Sequence, residues 1–201
     1  VRRTLLRRAR GEDRDRIGRC GRIEGPPEQL SRCPVIESSG MEESLEIQRR
    51  LENPALINRA QVGLLQMLVA QGELEDVPRL ADEAIELSRS LGDTWAEHFA
   101  YHFLADLALM RGDFEAADSW YALSLDAAAR SGDEVETCYE LEGVAMASAG
   151  LGRSERALRL AGAADAQLRA LGVQDSVAFW QELIERFIGM AREALGAEAD
   201  A

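Results

Sequence analysis

Lysine is missing from this chain, and all 23 basic residues are arginine. A phosphate loop of the form G-x-x-x-x-G-K-[ST] is thereby excluded, because its lysine reaches the phosphates. Aromatic residues make up only 5% of the chain, while alanine and leucine dominate its apolar runs. That balance argues against a β-sandwich and for closely packed helices. The three cysteines, Cys20, Cys33 and Cys138, form neither a C-x-x-C pair nor a zinc-ligand spacing. A disulfide framework is excluded, and a reducing cytoplasmic location is expected. Cys138 falls early in an expected helix, where a dipole can lower a thiol's pKa, yet nothing basic adjoins it in sequence. The longest apolar run, Leu64 to Ala70 interrupted by Gln66, falls well short of the roughly 18 residues of a membrane span. A formal net charge of −13 opposes contact with nucleic acid or an anionic membrane.

What is present is a period. Gly92, Gly132 and Gly172 form one ladder and Gly72, Gly112 and Gly152 a second, each with rungs 40 residues apart. Helix-length segments separate the rungs, so the unit is a helix pair repeated in tandem. Residues 1–40 stand apart: rich in arginine, glycine and proline, with no apolar h-region after the arginines, they are expected to be a disordered leader without a secretory signal.

From Met41 the frame begins in mid-repeat, with Asn53 opposite Asp93 and Asp133. Met41–Glu52 reads as a second helix whose first is missing, so the chain is expected to continue a longer array cut short at its N-terminus. Asn53-Pro54 starts a helix to about Ala70, with Leu56, Val62, Leu65, Leu68 and Val69 on its apolar side. Gly72 ends it; Asp76 is expected to cap the next, whose inner face carries Leu80, Ala84 and Leu87. Asp93 caps a helix to about Met110, and Asp113 its partner through Arg130. Asp133 with Glu136 reads as a capping box, with a turn at Gly152 and Ser154. A last helix, from Asp175 or Ser176 to about Leu195, carries Val177, Trp180, Leu183, Ile184, Phe187 and Ala191 to close the array. Residues 41–196 thus form the repeat domain, and residues 197–201 a frayed tail.

The run Gly112-Asp113-Phe114-Glu115-Ala116-Ala117 resembles the turn into the second helix of the tetratricopeptide repeat. Tyr101, Leu104 and Ala105 match that family's first-helix positions, and Tyr121 its second-helix aromatic. Val77 and Ser154 depart from the pattern, and the period of 40 exceeds the family's roughly 34. The resemblance implies an all-α, right-handed superhelical solenoid of about three helix pairs with a C-terminal capping helix. The segments Arg156–Gly172 and Ala191–Gly196 are similar to the C-terminal region of bacterial LuxR-type and adenylate-cyclase-linked signalling ATPases. In those families the repeats bind an inducer or a partner protein, and an upstream domain switches. The function so implied is a sensing scaffold of a transcription regulator; the alternative is a free-standing adaptor for a peptide or partner helix. The sequence carries no phosphate-loop motif, and no helix-turn-helix is expected after the array.

The first-helix positions expected to line the concave groove are Arg59, Val62 and Gln66, then Phe99, His102, Asp106 and Met110, then Tyr139, Glu142 and Met146. Aromatic, methionine and acidic side chains there suit a peptide, a helix or a small inducer. The competing reading makes Phe99, Tyr139 and Met146 plain interhelix packing. The two histidines, His98 and His102, share a helix face at i, i+4, the spacing of a two-histidine metal site. Asp106 and Glu142 are the third ligands available in principle, and a metal-dependent enzyme on this face is the remote alternative. Two imidazoles alone complete no coordination sphere, so no metal, cofactor or catalytic residue is expected. Trp95 and Trp120 read as interhelix fillers, and Glu134 and Glu136 as a solvated helix start.

Overall fold

The computed structural model describes residues 38–173 and 177–199. Among them it contains eight α-helices and no strand, so the fold is all-α. The helices are α1 (Ser38–Arg50), α2 (Pro54–Gln71), α3 (Val77–Leu91), α4 (Thr94–Met110), α5 (Phe114–Ser131), α6 (Glu134–Gly150), α7 (Ser154–Ala170) and α8 (Ala178–Ala199). No helix among the described residues is long and apolar enough to cross a membrane. The expected leader lies outside the described residues up to position 37, while Ser38–Gly40 already belong to α1. Asp175 and Ser176 also lie outside them, and α8 runs past Gly196 to Ala199.

Both glycine ladders mark helix ends. Gly72, Gly92, Gly112, Gly132, Gly152 and Gly172 all have φ between 67° and 78°. This left-handed conformation reverses the chain while returning amide protons to the last helical carbonyls. At Gly92 and Gly112 the next residue serves two helices at once. The Asp93 amide donates to Ser88 O at 2.9 Å, and its carboxylate accepts from Ala96 N at 3.1 Å. Asp113 does the same with Ala108 O at 2.9 Å and Ala116 N at 3.2 Å. Asn53 caps α2 through Leu56 N, and Asp133 caps α6 through Val135 N and Glu136 N.

Two expectations about caps are corrected. Asp76 makes no cap bond: its own backbone is already helical, and its carboxylate pairs with Arg79 at 3.0 Å. The box at Asp133 is not reciprocal, because Ser131 Oγ accepts the Asp133 amide and Glu136 turns inward. The rung absent from the glycine pattern is filled by Glu52, which holds φ at 51° where the later repeats have glycine.

Each helix packs on its chain neighbours. The first helices of the pairs, α2, α4 and α6, also touch in succession, and α8 packs on α6 and α7. Helix α4, enclosed by α2, α3, α5 and α6, buries nearly every residue from Ala96 to Leu109. Val62, Leu65, Leu68 and Val69 of α2 are buried as expected, but Leu56 is exposed, lying in the first turn before α2 meets its neighbours. In α3, Leu80 and Ala84 are buried and Leu87 half-buried. On α8, Trp180, Leu183, Phe187 and Ala191 face inward with Ile188, whereas Val177 precedes the helix and is exposed.

Three glycines mark close approaches between successive helices, and at one of them, Gly150, a Cβ would overlap the Phe114 ring. A Cβ on Gly143 would overlap the ring of Tyr121, and one on Gly63 would overlap the Met41 side chain. Both pairs are 22 residues apart, so they occupy equivalent places in the frame. The intervening pair at that place is Ala81 and Phe103, both buried in one cluster, with the large and small partners exchanged.

The turn geometry generates a two-sided prediction. Gly132→Ala introduces a Cβ that meets no neighbour, so its cost is conformational alone, about 1 kcal/mol. Glu52→Gly relieves the same strain and should gain roughly 0.5–1 kcal/mol against the added chain entropy. Thermal unfolding of both variants reads opposite shifts; equal signs would break the equivalence of the two rungs.

Candidate functional site

The site is built where α4 meets α6. A helix places residues four apart on one face. His98 and His102 are therefore presented together by α4, and Glu136 and Glu140 together by α6. Glu140 is 0% exposed, and a carboxylate so buried must find positive partners or protons. His98 Nε2 lies 3.0 Å and His102 Nδ1 2.8 Å from its Oε1. Glu140 Oε2 is buried without a hydrogen-bond partner. Glu136 Oε2 stands 3.8 Å from His98 Nε2, which leaves His98 between two carboxylates.

The network continues along α4. His102 Nε2 lies 3.4 Å from Asp106 Oδ2, and the Tyr121 hydroxyl donates to Asp106 Oδ1 at 2.5 Å. Tyr121 reaches that carboxylate because Gly143 lets its ring lie against α6. Farther along α6, Trp180 Nε1 donates to Glu142 Oε2 at 2.8 Å, tying α8 to the array.

Burial and charge act against each other throughout. Burial alone would lower the His102 pKa. The Asp106 carboxylate, then Glu140 by charge and hydrogen bond, and Glu136 reverse this and raise it to about 10. Burial pushes Glu140 up as well, but His102 and His98 hold its carboxyl below the usual range. We therefore take His102 as an imidazolium paired with ionised Glu140. Burial raises Asp106 and Glu136, and their histidine neighbours offset it only in part. Thus Asp106 favours the charge on His102 while burial disfavours its own. Tyr121 is pushed well above its ordinary value by burial and by Asp106.

A cavity of about 450 Å³ opens beside this network. Its walls come from α2 (Gln66, Met67, Val69, Ala70), α4 (Phe99, His102, Phe103, Asp106), α6 (Glu136, Tyr139) and the α8 end (Val177, Phe179, Trp180). Of the residues expected on the groove, the structure brings Gln66, Phe99, His102, Asp106 and Tyr139 to this one cavity. The others lie elsewhere. The Arg59 guanidinium sits over the Trp95 ring, 4.0 Å from its centroid. Val62 is buried and Met110 half-buried against the core. Glu142 is drawn to Trp180, away from the histidines, and Met146 is fully buried in the cluster that holds Trp180 and Leu183 of α8. Periodicity could place Met146 on the inner side, but not foresee that α8 would cover that end.

Glu136 and Glu140 are the residues that sequence reasoning missed. Sliding the frame by 40 sets them opposite Ala96 and Ala100, both fully buried. Charged residues at positions that are buried alanines one repeat earlier were the available signal. Glu136 is accordingly no solvated helix start. The ligand atoms of His98, Glu136 and Glu140 lie within 4.8 Å of one another, a grouping able to hold a metal ion. Cys138 is buried, and burial, then Glu142 and Glu134, raise its thiol pKa, against the lowering a helix dipole would give. Cys20 and Cys33 lie outside the described residues.

No protein-family profile matches the chain, and no curated protein does. Among solved structures it is similar to the crystal structure of BtubC (BKLC) from P. vanneervenii. That similarity has a TM-score of 0.58 at 20% identity and covers 82% of this chain and 73% of that one. At that identity the likeness concerns the fold.

The imidazolium has a measurable consequence. Its folded pKa of about 10 lies above the ordinary 6.5, so its contribution is full below pH 6.5 and is lost as pH rises through 10. In chelator-treated protein, the Tm should fall more between pH 6.5 and 10 for the native chain than for His102→Gln. Parallel Tm curves, or a His102 imidazole nitrogen resonance titrating near the ordinary 6.5, would remove the charged pair.

Proposed function

We propose that the chain is a ligand-sensing helical-repeat scaffold, and that its ligand is a small molecule held in the cavity between α2, α4, α6 and the start of α8. The cavity carries this reading. Small-molecule sites are commonly clefts of roughly 300–1,000 Å³, mostly apolar with a few fixed polar groups. This one is about 450 Å³, with Phe99, Phe103, Tyr139 and Trp180 as aromatic walls and His102, Asp106 and Glu136 as polar points. Those three belong to a network whose partners hold them in place, so their donors and acceptors are oriented before a ligand arrives.

In this reading the helix pairs form a right-handed tetratricopeptide-like solenoid with α8 as its cap. The 40-residue turn pattern and the layer of touching first helices support that reading. The scaffold acts in the cytoplasm as the sensing region of a bacterial transcription regulator of the LuxR-type or signalling-ATPase kind, contacting neither nucleic acid nor membrane itself. A ligand touching α4, α6 and α8 together alters how the cap sits on the array, and that is the change a neighbouring domain reads. The alternative adaptor, clasping a peptide or helix along the inner face, is less well supported, because Phe179 and Trp180 occupy one end of that face.

Ala70→Trp tests the cavity from its exposed rim. Protein purified from its own host should release a small molecule on denaturation, seen by comparing native and denaturing mass spectra. Returned at a hundredfold excess over its Kd, that molecule should stabilise the chain by about 2.7 kcal/mol. Ala70→Trp should carry none and show no such gain. Ligand-free host protein, or unchanged binding by Ala70→Trp, would overturn the small-molecule reading. The regulator assignment has its own check: an antibody to residues 93–195 should detect a host polypeptide several times larger than 22.1 kDa. A band near that mass would favour the adaptor.

A further inference from the structure

We infer that His98, Glu136 and Glu140 form a binding site for one divalent transition-metal ion, clamped between α4 and α6 at the wall of the cavity. Three observations carry this, and none depends on what the cavity itself takes. The first is geometric. Nitrogen and oxygen ligands lie at roughly 2.0–2.2 Å from zinc, so two of them on one tetrahedral ion stand about 3.3–3.5 Å apart. His98 Nε2 is 3.0 Å from Glu140 Oε1 and 3.8 Å from Glu136 Oε2, and all three ligand atoms fall within 4.8 Å of one another. Shifts of about 1 Å or less would close them around an ion.

The second observation is an unmet acceptor. Glu140 is wholly buried, its Oε1 is engaged by both histidines, and its Oε2 has no partner. A buried acceptor left unsatisfied is costly, and a cation held by both oxygens of the Glu140 carboxylate would satisfy it while keeping the Oε1 approach to His98. The third is charge. Three carboxyl groups, Asp106, Glu136 and Glu140, gather around two imidazoles, a donor set richer in oxygen ligands than in cationic partners. A divalent cation suits such a set.

Each side chain then has a distinct part. His98 turns the Nε2 that now meets Glu140 into a lone-pair ligand for the ion, the neutral imidazole keeping its one proton on Nδ1. Glu140 and Glu136 supply the two carboxylate ligands. His102 is a positioning residue: its Nδ1–H holds Glu140 Oε1, and Asp106 with Tyr121 behind it fixes the imidazole. Glu136 also lines the cavity, so the fourth position faces the space where water or a ligand atom can enter. Mixed imidazole and carboxylate ligands suit zinc, iron or manganese better than a soft ion.

The test uses the full chain, stripped with a chelator and titrated with Zn²⁺ by calorimetry and with Co²⁺ by visible absorption. One equivalent should bind, with the intense absorption of a low-coordinate cobalt site. Glu136 is half-buried and lies outside the Glu140 hydrogen bonds, so Glu136→Gln should fold as the native chain does, checked by circular dichroism. It should weaken Zn²⁺ by more than the roughly 10–100-fold expected for loss of an outer partner. His98→Phe should do the same, while Asp165→Asn on the exposed face of α7 should change nothing. No saturable equivalent in the folded native chain would overturn the site. So would binding that survives Glu136→Gln but falls with Asp165→Asn, since that ion would sit on the acidic surface.

Discussion

The short glycine–aspartate turn is the constraint on which the rest of the array stands. At Gly92-Asp93 and Gly112-Asp113, one residue takes the left-handed conformation and the next closes both helices it joins. With so little chain between helices, their lengths cannot drift, and each first helix meets the preceding one in nearly the same register. That repetition puts His98 and His102 opposite Glu136 and Glu140, some 40 residues away in sequence. At Glu52 the chain keeps the turn with a residue that strains to make it.

On this regular frame the α4–α6 contact is the exception. The α2 positions equivalent to His98 and His102 are Asn58 and Val62, and the α4 positions equivalent to Glu136 and Glu140 are alanines. Asn58 is also buried, but it bonds to Ser88 and makes no ion pair. A buried ion pair is weak evidence for stability, because desolvation consumes much of its attraction. Concentrating charge between two repeats while the preceding contact uses alanine therefore points to a task beyond holding helices together. The cavity and the proposed ion site share this wall, through Glu136, so an occupant of one would be felt at the other.

Much of the backbone was legible because its signals are local. A glycine every 20 residues, an aspartate after it and an apolar stripe between were enough to bound α4 to within a residue. They failed at Asp76, where the longer turn from Gly72 left the side chain to Arg79 rather than to a helix end. The candidate site was only half readable. His98, His102 and Asp106 lie on one helix, and their shared face follows from spacing alone. Their chief partner, Glu140, arrives from the next repeat, and its role depends on which face of α6 turns back toward α4. Glu142 and Met146 were misplaced for the related reason that α8, beginning at Ala178, covers the end of that face.

The exchanged large and small residues also bear on how such an array can be lengthened or shortened. Each fitted couple, Met41 with Gly63 or Tyr121 with Gly143, joins a second helix to the first helix that follows it. Excising residues 53–92 would bring Met41 against Phe103, bulk on bulk. Excising residues 93–132 would leave Ala81 facing Gly143, a void. Cutting instead at Gly72 and Gly112 removes one couple whole and leaves the others intact. For recombination, then, the inheritable cassette straddles the repeat as the eye first marks it, and its seams run along the Gly72, Gly112 and Gly152 ladder.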